Sequence, residues 1–363
     1  MHTFRLAERI RQSGLEIIAT LGPASISAAV PRELLENGAT AFRVNLAHAR
    51  TEWLDRVLET LRRLEAETGW TGLGVADLPG RKPRTGTLPG PVPVKAGHRV
   101  WLGQGLPPEP IDLVLPLQAE LAGQTVASGQ TILLRDGRLS LTVLRQAPGG
   151  FLCESRADGE ATSRMGVAFT AGTRVERPFP HELFRRCLDG GIHRFLQSYC
   201  DRPEDLEPPR EACRRLGQFG GQIVPKLETR EAILNAEAIL SASPLACLAR
   251  GDLGTQIPLE RVPGVELRLL ELSARLGRRV LVAGDVMPAT LAAGEASRPE
   301  RAAAYYALAH GAAGFILSDE TALGDQPALA VRQLTRVLEA WLQEQQSYHQ
   351  FHSRSGAAET ADR

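Results

Sequence analysis

The sequence predicts an α/β protein: a (β/α)8 TIM barrel with an inserted small β-barrel domain that acts as a lid. The first observation is that eight short apolar segments recur along the 363 residues, most of them followed by a helical pattern. Such alternation is typical of parallel strands, and eight repeats indicate a closed barrel. The second observation is a break in this pattern after the third segment, where Pro, Gly and short β patterns are frequent.

The eight segments are predicted to be the barrel strands. In chain order they are EIIATL (16–21), AFRVNLA (41–47), GLGVADL (72–78), HRFLQSY (193–199), QIVPKLE (222–228), ACLARGDL (246–253), VLVAGD (280–285) and GFILSD (314–319). Helical segments such as TEWLDRVLETLRRLEAETG and PERAAAYYALAHG lie between them. Because a barrel of this type holds its site at the C-terminal ends of the strands, polar residues at those ends are candidates for function.

The break in the pattern defines the domains. We assign residues 1–86 and 173–349 to the barrel, residues 87–172 to the inserted β domain, and the polar residues 350–363 to a disordered tail. A β domain inserted at the catalytic rim favours a lid that closes over a ligand. A structural or oligomerisation module is the alternative.

Composition excludes several classes of partner. The formal net charge is zero, so there is no electrostatic case for a nucleic acid or an anionic membrane. No apolar run approaches the roughly 20 residues of a membrane span, and the N-terminal segment is an amphipathic helix rather than a secretory signal. Five cysteines without metal-type spacing indicate reduced, structural thiols. These features predict a cytoplasmic protein.

Lysine is rare in this chain, occurring only at Lys82, Lys95 and Lys226 among 42 basic residues. A position that keeps lysine indicates a need for a compact ammonium rather than a planar guanidinium. Lys226 lies in IVPKLE, and Glu228 two residues later points to the same side of the predicted strand. The pair is either part of a site at the barrel mouth or an internal ion pair.

A metal site is predicted from two neighbouring strands. Asp252 in ARGDLG adds a second carboxylate to that of Glu228, and Mg²⁺ often takes one or two carboxylates plus substrate oxygens and water. Arg43, Arg84 and Lys226 around it would bind a phosphate or a carboxylate. The residues alone therefore predict metal-assisted chemistry on a small phosphorylated molecule or a 2-oxo acid.

Seven segments occur in order over roughly residues 15 to 340: IIATLGPAS, FRVNLAHA, ADLPGRKPRTG, LRDGRLSLTV, VPKLE, ARGDLG and LSDETALGDQP. Their sequences, order and spacing resemble the pyruvate kinase family. The resemblance implies a barrel with a β lid after strand three. It also implies transfer of the phosphoryl group of phosphoenolpyruvate to ADP, giving pyruvate and ATP, with Mg²⁺ or Mn²⁺ as cofactor.

The resemblance also implies a role for individual residues. Arg43 and Arg84 match arginines that bind the transferring phosphoryl group, and Lys226 matches the lysine that neutralises phosphoryl and enolate oxygens. Glu228 and Asp252 match the metal ligands.

Further residues match the family's substrate and nucleotide sites. The backbone of Gly251 and Asp252 would receive the substrate carboxylate. The remaining matches are a lid residue, Asp136, and three residues in segments that face the nucleotide, Pro23, Asn45 and His48.

Two departures from the family pattern point to K⁺ independence. Ala47 replaces a serine that, with Asn45 and Asp77, helps to bind K⁺ in the family. Lys82 in GRKPRTG replaces a glutamate, and its ammonium would supply the missing positive charge.

A third departure concerns proton transfer. Gly284 and Asp285 replace a threonine and a glutamine, and the threonine is associated with protonating the enolpyruvate carbon. The loss leaves room for a different or larger substrate, and Asp285 becomes a candidate acid or base. In addition, the lysine-containing SEKD segment of the family has no counterpart in VERPFPHELF, and Asp319 stands beside Glu320.

The chain ends soon after ALAVRQLTRVLEAWLQEQQ, so we expect neither the family's C-terminal domain nor its usual allosteric control. The amphipathic termini leave a homo-oligomer open. Two alternatives to the kinase remain: a Mg²⁺-dependent decarboxylase or aldolase-type lyase acting on a 2-oxo acid, and a catalytically silent relative with a binding or regulatory role.

Overall fold

The computed structural model of the chain describes residues 4–27, 29–47, 49–80, 84–117, 125–135, 137–169, 179–217, 220–292 and 294–361, with the backbone alone for 292 and 348–361. The strands in this part of the chain are β1 (Glu16–Leu21), β2 (Ala41–Asn45), β3 (Gly74–Leu78), β4 (Val92–Val94), β5 (Arg99–Gly103), β6 (Leu113–Pro116), β7 (Thr131–Leu134), β8 (Leu139–Ala147), β9 (Gly150–Ser155), β10 (Gly159–Ala161), β11 (Val167–Phe169), β12 (Arg194–Gln197), β13 (Gln222–Leu227), β14 (Leu245–Ala249), β15 (Arg279–Ala283) and β16 (Ala312–Leu317).

Eight of these strands form the predicted barrel. Strands β1, β2, β3 and β12 to β16 pair in parallel in that order, and β16 closes the ring on β1. Every one of the eight predicted segments contributes a strand. Because the strands are buried on both faces, their sequences read as continuous apolar runs rather than as alternating patterns.

The barrel has an inner and an outer core. Its interior is filled by side chains such as Ile18, Val75, Leu196 and Val224, one from each of four strands. A larger cluster lies between the strands and the surrounding helices and includes Phe42 and Phe315.

The helices in the described part of the chain lie mostly between strands, as predicted. Their bounds are Arg5–Gln12, Val30–Glu36, Thr51–Thr68, His181–Asp189, Glu207–Arg215, Arg230–Leu234, Ala236–Ser241, Arg250–Leu253, Val262–Arg275, Ala289–Ala292, Arg298–Ala309, Asp319–Ala322 and Pro327–Ala361, with 3-10 turns at Pro203–Leu206 and Leu259–Arg261. No helix among the described residues is long and apolar enough to span a membrane.

The insertion after β3 is a β structure with its own core, built around side chains such as Val100, Ile132 and Phe151. Within the described residues its strands form a six-stranded sheet, β11-β7-β8-β9-β5-β6, and a separate ribbon of β4 and β10. These described strands do not by themselves confirm the closed β-barrel, which stays a prediction. A bulge between Val143 and Arg145 bends the sheet. The domain boundaries at 86/87 and 172/173 stay predictions.

The C-terminal segment differs from the predicted disordered tail. The helix that begins at Pro327 continues to Ala361. The segment GAAETA contains good helix formers, so the helix has a local reason to extend beyond the barrel.

Closure of the barrel depends on Gly314 in β16. It pairs with Glu16 of β1, and its φ of +139° lies in a region that side-chain-bearing residues rarely adopt. A Cβ atom at this position would lie 2.0 Å from the backbone oxygen of Glu16. The two strands approach this closely because residue 314 has no side chain.

Gly314→Ala should lower the free energy of unfolding by about 3 kcal/mol or more, because the methyl group adds a backbone clash to the strain at positive φ. Gly311→Ala is the matched control, since its φ is +95° and no atom lies within 4 Å of its Cβ position. It should cost about 1 kcal/mol. Chemical denaturation measures both, and equal losses would contradict this account of barrel closure.

Candidate active site

Charged side chains converge at the C-terminal mouth of the barrel. Arg43 of β2 donates from Nε to Asp77 Oδ2 of β3 at 2.7 Å, and one of its terminal nitrogens lies 2.7 Å from the same oxygen as an ion pair. Lys226 of β13 places its Nζ 3.4 Å from the same Asp77 oxygen and 3.0 Å from Glu228 Oε2. The predicted pairing of Lys226 with Glu228 is therefore present, and Asp77 joins it to Arg43.

Ser198 connects two members of this cluster. It follows β12, and its hydroxyl donates to Asp77 Oδ1 at 2.9 Å while accepting from Lys226 Nζ at 3.1 Å. Thr20 of β1 plays a similar part for Arg43, whose remaining terminal nitrogen donates to the Thr20 hydroxyl at 3.0 Å. These bonds fix the direction of both cations.

The environment keeps the cluster charged. Burial lowers the pKa of Lys226, but the Asp77 and Glu228 carboxylates outweigh it and leave the pKa above its usual range. Burial also lowers the pKa of Arg43, but the Asp77 carboxylate outweighs this and leaves the pKa of Arg43 above its usual value. Burial raises the pKa of Asp77, yet Lys226 and Arg43 together bring it below its ordinary value. Each ion is therefore stabilised by the others.

Glu228 is the exception, because its side chain is fully buried. Burial is the largest influence and raises its pKa; Lys226 opposes this, while the nearby charge of Asp252 adds to it. One oxygen, Oε1, accepts from the Tyr199 backbone N–H at 2.6 Å. The other, Oε2, accepts no hydrogen bond within the described structure, although Lys226 Nζ is close.

These residues fit a divalent metal such as Mg²⁺. Asp252 lies in the short helix Arg250–Leu253 directly after β14, the neighbour of β13, and its charge acts on both Glu228 and Lys226. The underused Glu228 Oε2 and the Asp252 carboxylate are hard oxygen donors of the type that Mg²⁺ prefers. No cluster of three His, Cys, Asp or Glu residues suited to a metal occurs in the described ranges, so water and substrate would complete the coordination.

The turn after β15 is held tightly against the neighbouring strand. Arg250 donates to the backbone oxygens of Gly284 at 2.9 Å and of Asp285 at 2.8 Å. The buried carboxylate of Glu320 accepts from the backbone N–H groups of Val286 and Met287 at 3.1 and 3.0 Å. Residues of the short helices that follow β14 and β16 thus fix this turn.

The larger pocket predicted at Gly284 is wrong. A Cβ atom at Gly284, which has a φ of +85°, would lie 2.6 Å from the backbone nitrogen of Gly251. The missing side chain lets two backbone segments approach each other. It does not leave empty space for a larger substrate.

The structure does not bring Asp285 into the charged cluster. Its side chain is exposed, and it makes no hydrogen bond or ion pair with a described residue. Its φ of +48° places it in the left-handed region, so its side chain does not follow the alternation of side chains along a strand. Nothing in its contacts supports the predicted role as an acid or base.

Arg84 makes its contacts with the β insertion. Its guanidinium donates to the backbone oxygen of Arg164 at 2.9 Å, and its backbone forms a bridge with Gly166. Arg84 thus ties the barrel to the insertion, and its place beside Arg43 and Lys226 stays a prediction.

The remaining predicted residues have separate outcomes. Pro23 is exposed in the turn after β1, and Asn45 at the end of β2 accepts from the Ala47 N–H at 3.1 Å. Gly251 and Asp252 lie in the short helix at the mouth, as expected. The other predicted binding residues, His48, Lys82 and Asp136, lie outside the described residues.

Sequence reasoning overlooked two hydroxyl residues and gave no role to a carboxylate. Thr20 and Ser198 are the next-to-last residues of two predicted strands, and their position near the C-terminal ends was a usable signal. Glu320 was noted as polar, but its role in fixing the turn 284–287 depends on a contact between residues 34 positions apart.

Comparison with known proteins places this geometry in a family. The model described as pyruvate kinase, barrel domain, matches residues 12–331. A pyruvate kinase of Methylorubrum extorquens is 32% identical over 335 residues, covering 91% of this chain and 69% of that protein. A pyruvate kinase of Mycobacterium tuberculosis strain H37Rv is 31% identical over 332 residues, covering 89% and 69%.

Other relatives agree. Pyruvate kinase 2 of Synechocystis is 28% identical, and the match covers 91% of this chain but 57% of that protein. Among solved structures, a pyruvate kinase from Cryptosporidium parvum superposes with a TM-score of 0.79 at 24% identity, over 89% of this chain and 68% of that one. At that identity the superposition supports the fold alone.

Ser198→Ala should lower the free energy of unfolding by about 1–3 kcal/mol, because it removes a buried donor to Asp77 and an acceptor from Lys226. Ser347→Ala is the control: this exposed serine also donates a hydrogen bond, to Gln343, and its loss should cost under about 0.5 kcal/mol. Denaturant unfolding compares the two. Equal stability would show that the Ser198 bridge contributes nothing.

Proposed function

The chain belongs to the pyruvate kinase family of phosphotransferases, and from this premise we propose that it transfers the phosphoryl group of phosphoenolpyruvate to ADP, giving pyruvate and ATP. The observation that carries the proposal is the buried cluster of Arg43, Asp77, Lys226 and Glu228 at the catalytic mouth of the barrel. Phosphoryl transfer needs groups that position the reactants and stabilise charge, and this cluster supplies them.

Lys226 and Arg43 are the groups that would face the phosphoryl and enolate oxygens. Their partners hold both cations in place before substrate arrives, so little reorganisation is needed when negative charge develops. Lys226, whose side chain is about 10% exposed, acts in a largely water-excluded setting where a charge is worth more than in solvent.

Glu228 and Asp252 are the residues that would hold a divalent metal. When bound there, Mg²⁺ would supply Lewis-acid stabilisation of phosphoryl and enolate oxygens. The underused Oε2 atom of Glu228 supports this assignment, since a fully buried carboxylate oxygen without a hydrogen bond is costly unless another group compensates it.

The substrate carboxylate would lie against the backbone of Gly251 and Asp252. Gly251 is exposed, and no atom lies within 4 Å of its Cβ position, so its backbone is open to a ligand. The adjacent turn at Gly284 packs closely on Gly251 because residue 284 has no side chain, and Arg250 donates to the Gly284 backbone oxygen.

Arg84 would bind the phosphoryl group through guanidinium donors that its bond to Arg164 leaves unused. Asp136 of the β insertion is the matching lid residue. Nucleotide would be bound near Pro23, Asn45 and His48. Cytoplasmic location is part of the proposal, and the amphipathic termini leave a homo-oligomer open.

We further propose that the enzyme works without K⁺. Asp77, a K⁺ ligand in the family, already accepts from Ser198 on one oxygen and from Arg43 on the other. The Asn45 side-chain oxygen accepts from the backbone N–H of Ala47, the residue that stands in place of the family's serine. The Asp77 oxygens and the Asn45 side-chain oxygen thus all accept hydrogen bonds within the protein. Lys82 would supply the positive charge that K⁺ provides in the family.

The alternative of a decarboxylase or aldolase-type lyase rested on a roomier pocket at Gly284. Since Gly251 fills that space, no observation favours it over the kinase.

Wild-type protein should form pyruvate from phosphoenolpyruvate and ADP, and chelation of Mg²⁺ should abolish the reaction. Lys226→Met should slow it by at least about 100-fold, because a preorganised cation at the reacting oxygens is lost. Lys95→Met, the same change at an exposed lysine of the β insertion, should have no effect.

Two outcomes would contradict the kinase assignment. Tight binding of Mg²⁺ and oxalate without turnover would favour another enolate reaction. Absence of both binding and turnover would favour a catalytically silent relative.

Adding K⁺ to a K⁺-free assay should change the rate less than about twofold, because the ammonium of Lys82 would supply the positive charge that K⁺ provides. The measurement is the initial rate with K⁺ or tetramethylammonium at equal ionic strength, which separates a specific from a general salt effect. A strong rise in rate with K⁺ alone would refute the role given to Lys82.

A further inference from the structure

The barrel has a second lined cavity, at the end opposite the charged cluster. Its volume is about 350 Å³, and its lining includes the first residues of several strands, Glu16 of β1, Ala41 of β2, Arg194 of β12 and Arg279 of β15. The apolar side chains that fill the barrel interior lie between the two mouths. This cavity is therefore separate from the proposed active site.

The cavity is cationic. The described lining residues include Arg11, Arg194 and Arg279 but a single carboxylate, Glu16, so two formal positive charges are in excess. The chain as a whole has no net charge, which makes this excess a local feature. Burial lowers the pKa of Arg11, and the neighbouring Arg194 charge adds to the lowering while Glu16 opposes it.

Contacts within the protein hold the arginines but leave donors unused. Arg11 donates to the Thr40 backbone oxygen at 3.0 Å and stacks on Trp70 with its guanidinium carbon 4.8 Å from the ring centre. Arg194 pairs with Glu16, and Arg279 lies 3.6 Å from Glu16 and donates to the Gly14 backbone oxygen. A guanidinium has five N–H donors, so each arginine keeps several for a ligand.

We propose that this cavity binds a small phosphate monoester. Fixed guanidinium groups match the geometry of phosphate oxygens, and two excess charges match a dianion. The cavity volume lies at the lower end of the range for small-molecule sites. It is larger than a free phosphate requires, so it leaves space for the small organic group of a monoester. His193 at the rim adds a further polar group.

Binding is measured by calorimetry at low ionic strength, with glycerol 3-phosphate and inorganic phosphate as probes. Glycerol 3-phosphate should bind at least about threefold more tightly than inorganic phosphate, and both should weaken as salt is added. Neutral glycerol is the negative control. A preference for inorganic phosphate would overturn the monoester assignment.

Arg279→Gln should weaken glycerol 3-phosphate binding by about tenfold, because it removes one charge-assisted donor. Arg185→Gln is the matched control: both side chains are 49% exposed and both form ion pairs, but Arg185 lies on the helix His181–Asp189, outside the cavity lining. Equal affinity of the two variants, or no binding to the wild type at millimolar concentration, would refute the proposal.

If Arg279→Gln fails to fold, Glu16→Gln tests whether the cavity binds glycerol 3-phosphate. It removes the one carboxylate, keeps an acceptor oxygen for the arginines, and should tighten binding by about threefold or more. Unchanged or weaker binding would refute the proposal. Because the readout is binding rather than turnover, the result is independent of the kinase assay.

Discussion

The carboxylate of Asp77 is the interaction on which the catalytic mouth of this barrel depends. It is buried, and it accepts from Arg43 and Ser198 while lying 3.4 Å from Lys226. Without it two buried cations would face each other without a shared anion, and breaking a buried pair by removing one partner is strongly destabilising. The same carboxylate that permits the positive charges to be buried also aims them at the place where phosphoryl oxygens would lie.

The charge arrangement has a second consequence. Arg43 and Asp77 stabilise each other, whereas Glu228 is fully buried and has one oxygen without a hydrogen bond. Lys226 Nζ is the ion-pair partner of that oxygen at 3.0 Å, and under the proposed function a divalent metal shared with Asp252 would add to its stabilisation.

Close backbone packing is the other feature of this mouth. Gly284 allows its turn to approach Gly251, while Arg250 and Glu320 fix that turn through backbone groups. The site is thus supported by side chains that touch no reactant. Gly284 and Asp285, which depart from the family sequence, thus lie in a turn that packs closely against Gly251.

The sequence alone determined the barrel strands, because buried parallel strands leave continuous apolar runs, and it determined that Lys226 and Glu228 share one face, because strand residues alternate with a period of two. Tertiary structure alone decided the partners of these residues. Ser198 meets Asp77 across 121 positions of sequence, Arg84 contacts Arg164, and the arginines of the second cavity come from distant segments. Local patterns fix which way a side chain points. Closure of the ring fixes what it meets, since that depends on the register between strands far apart in the chain.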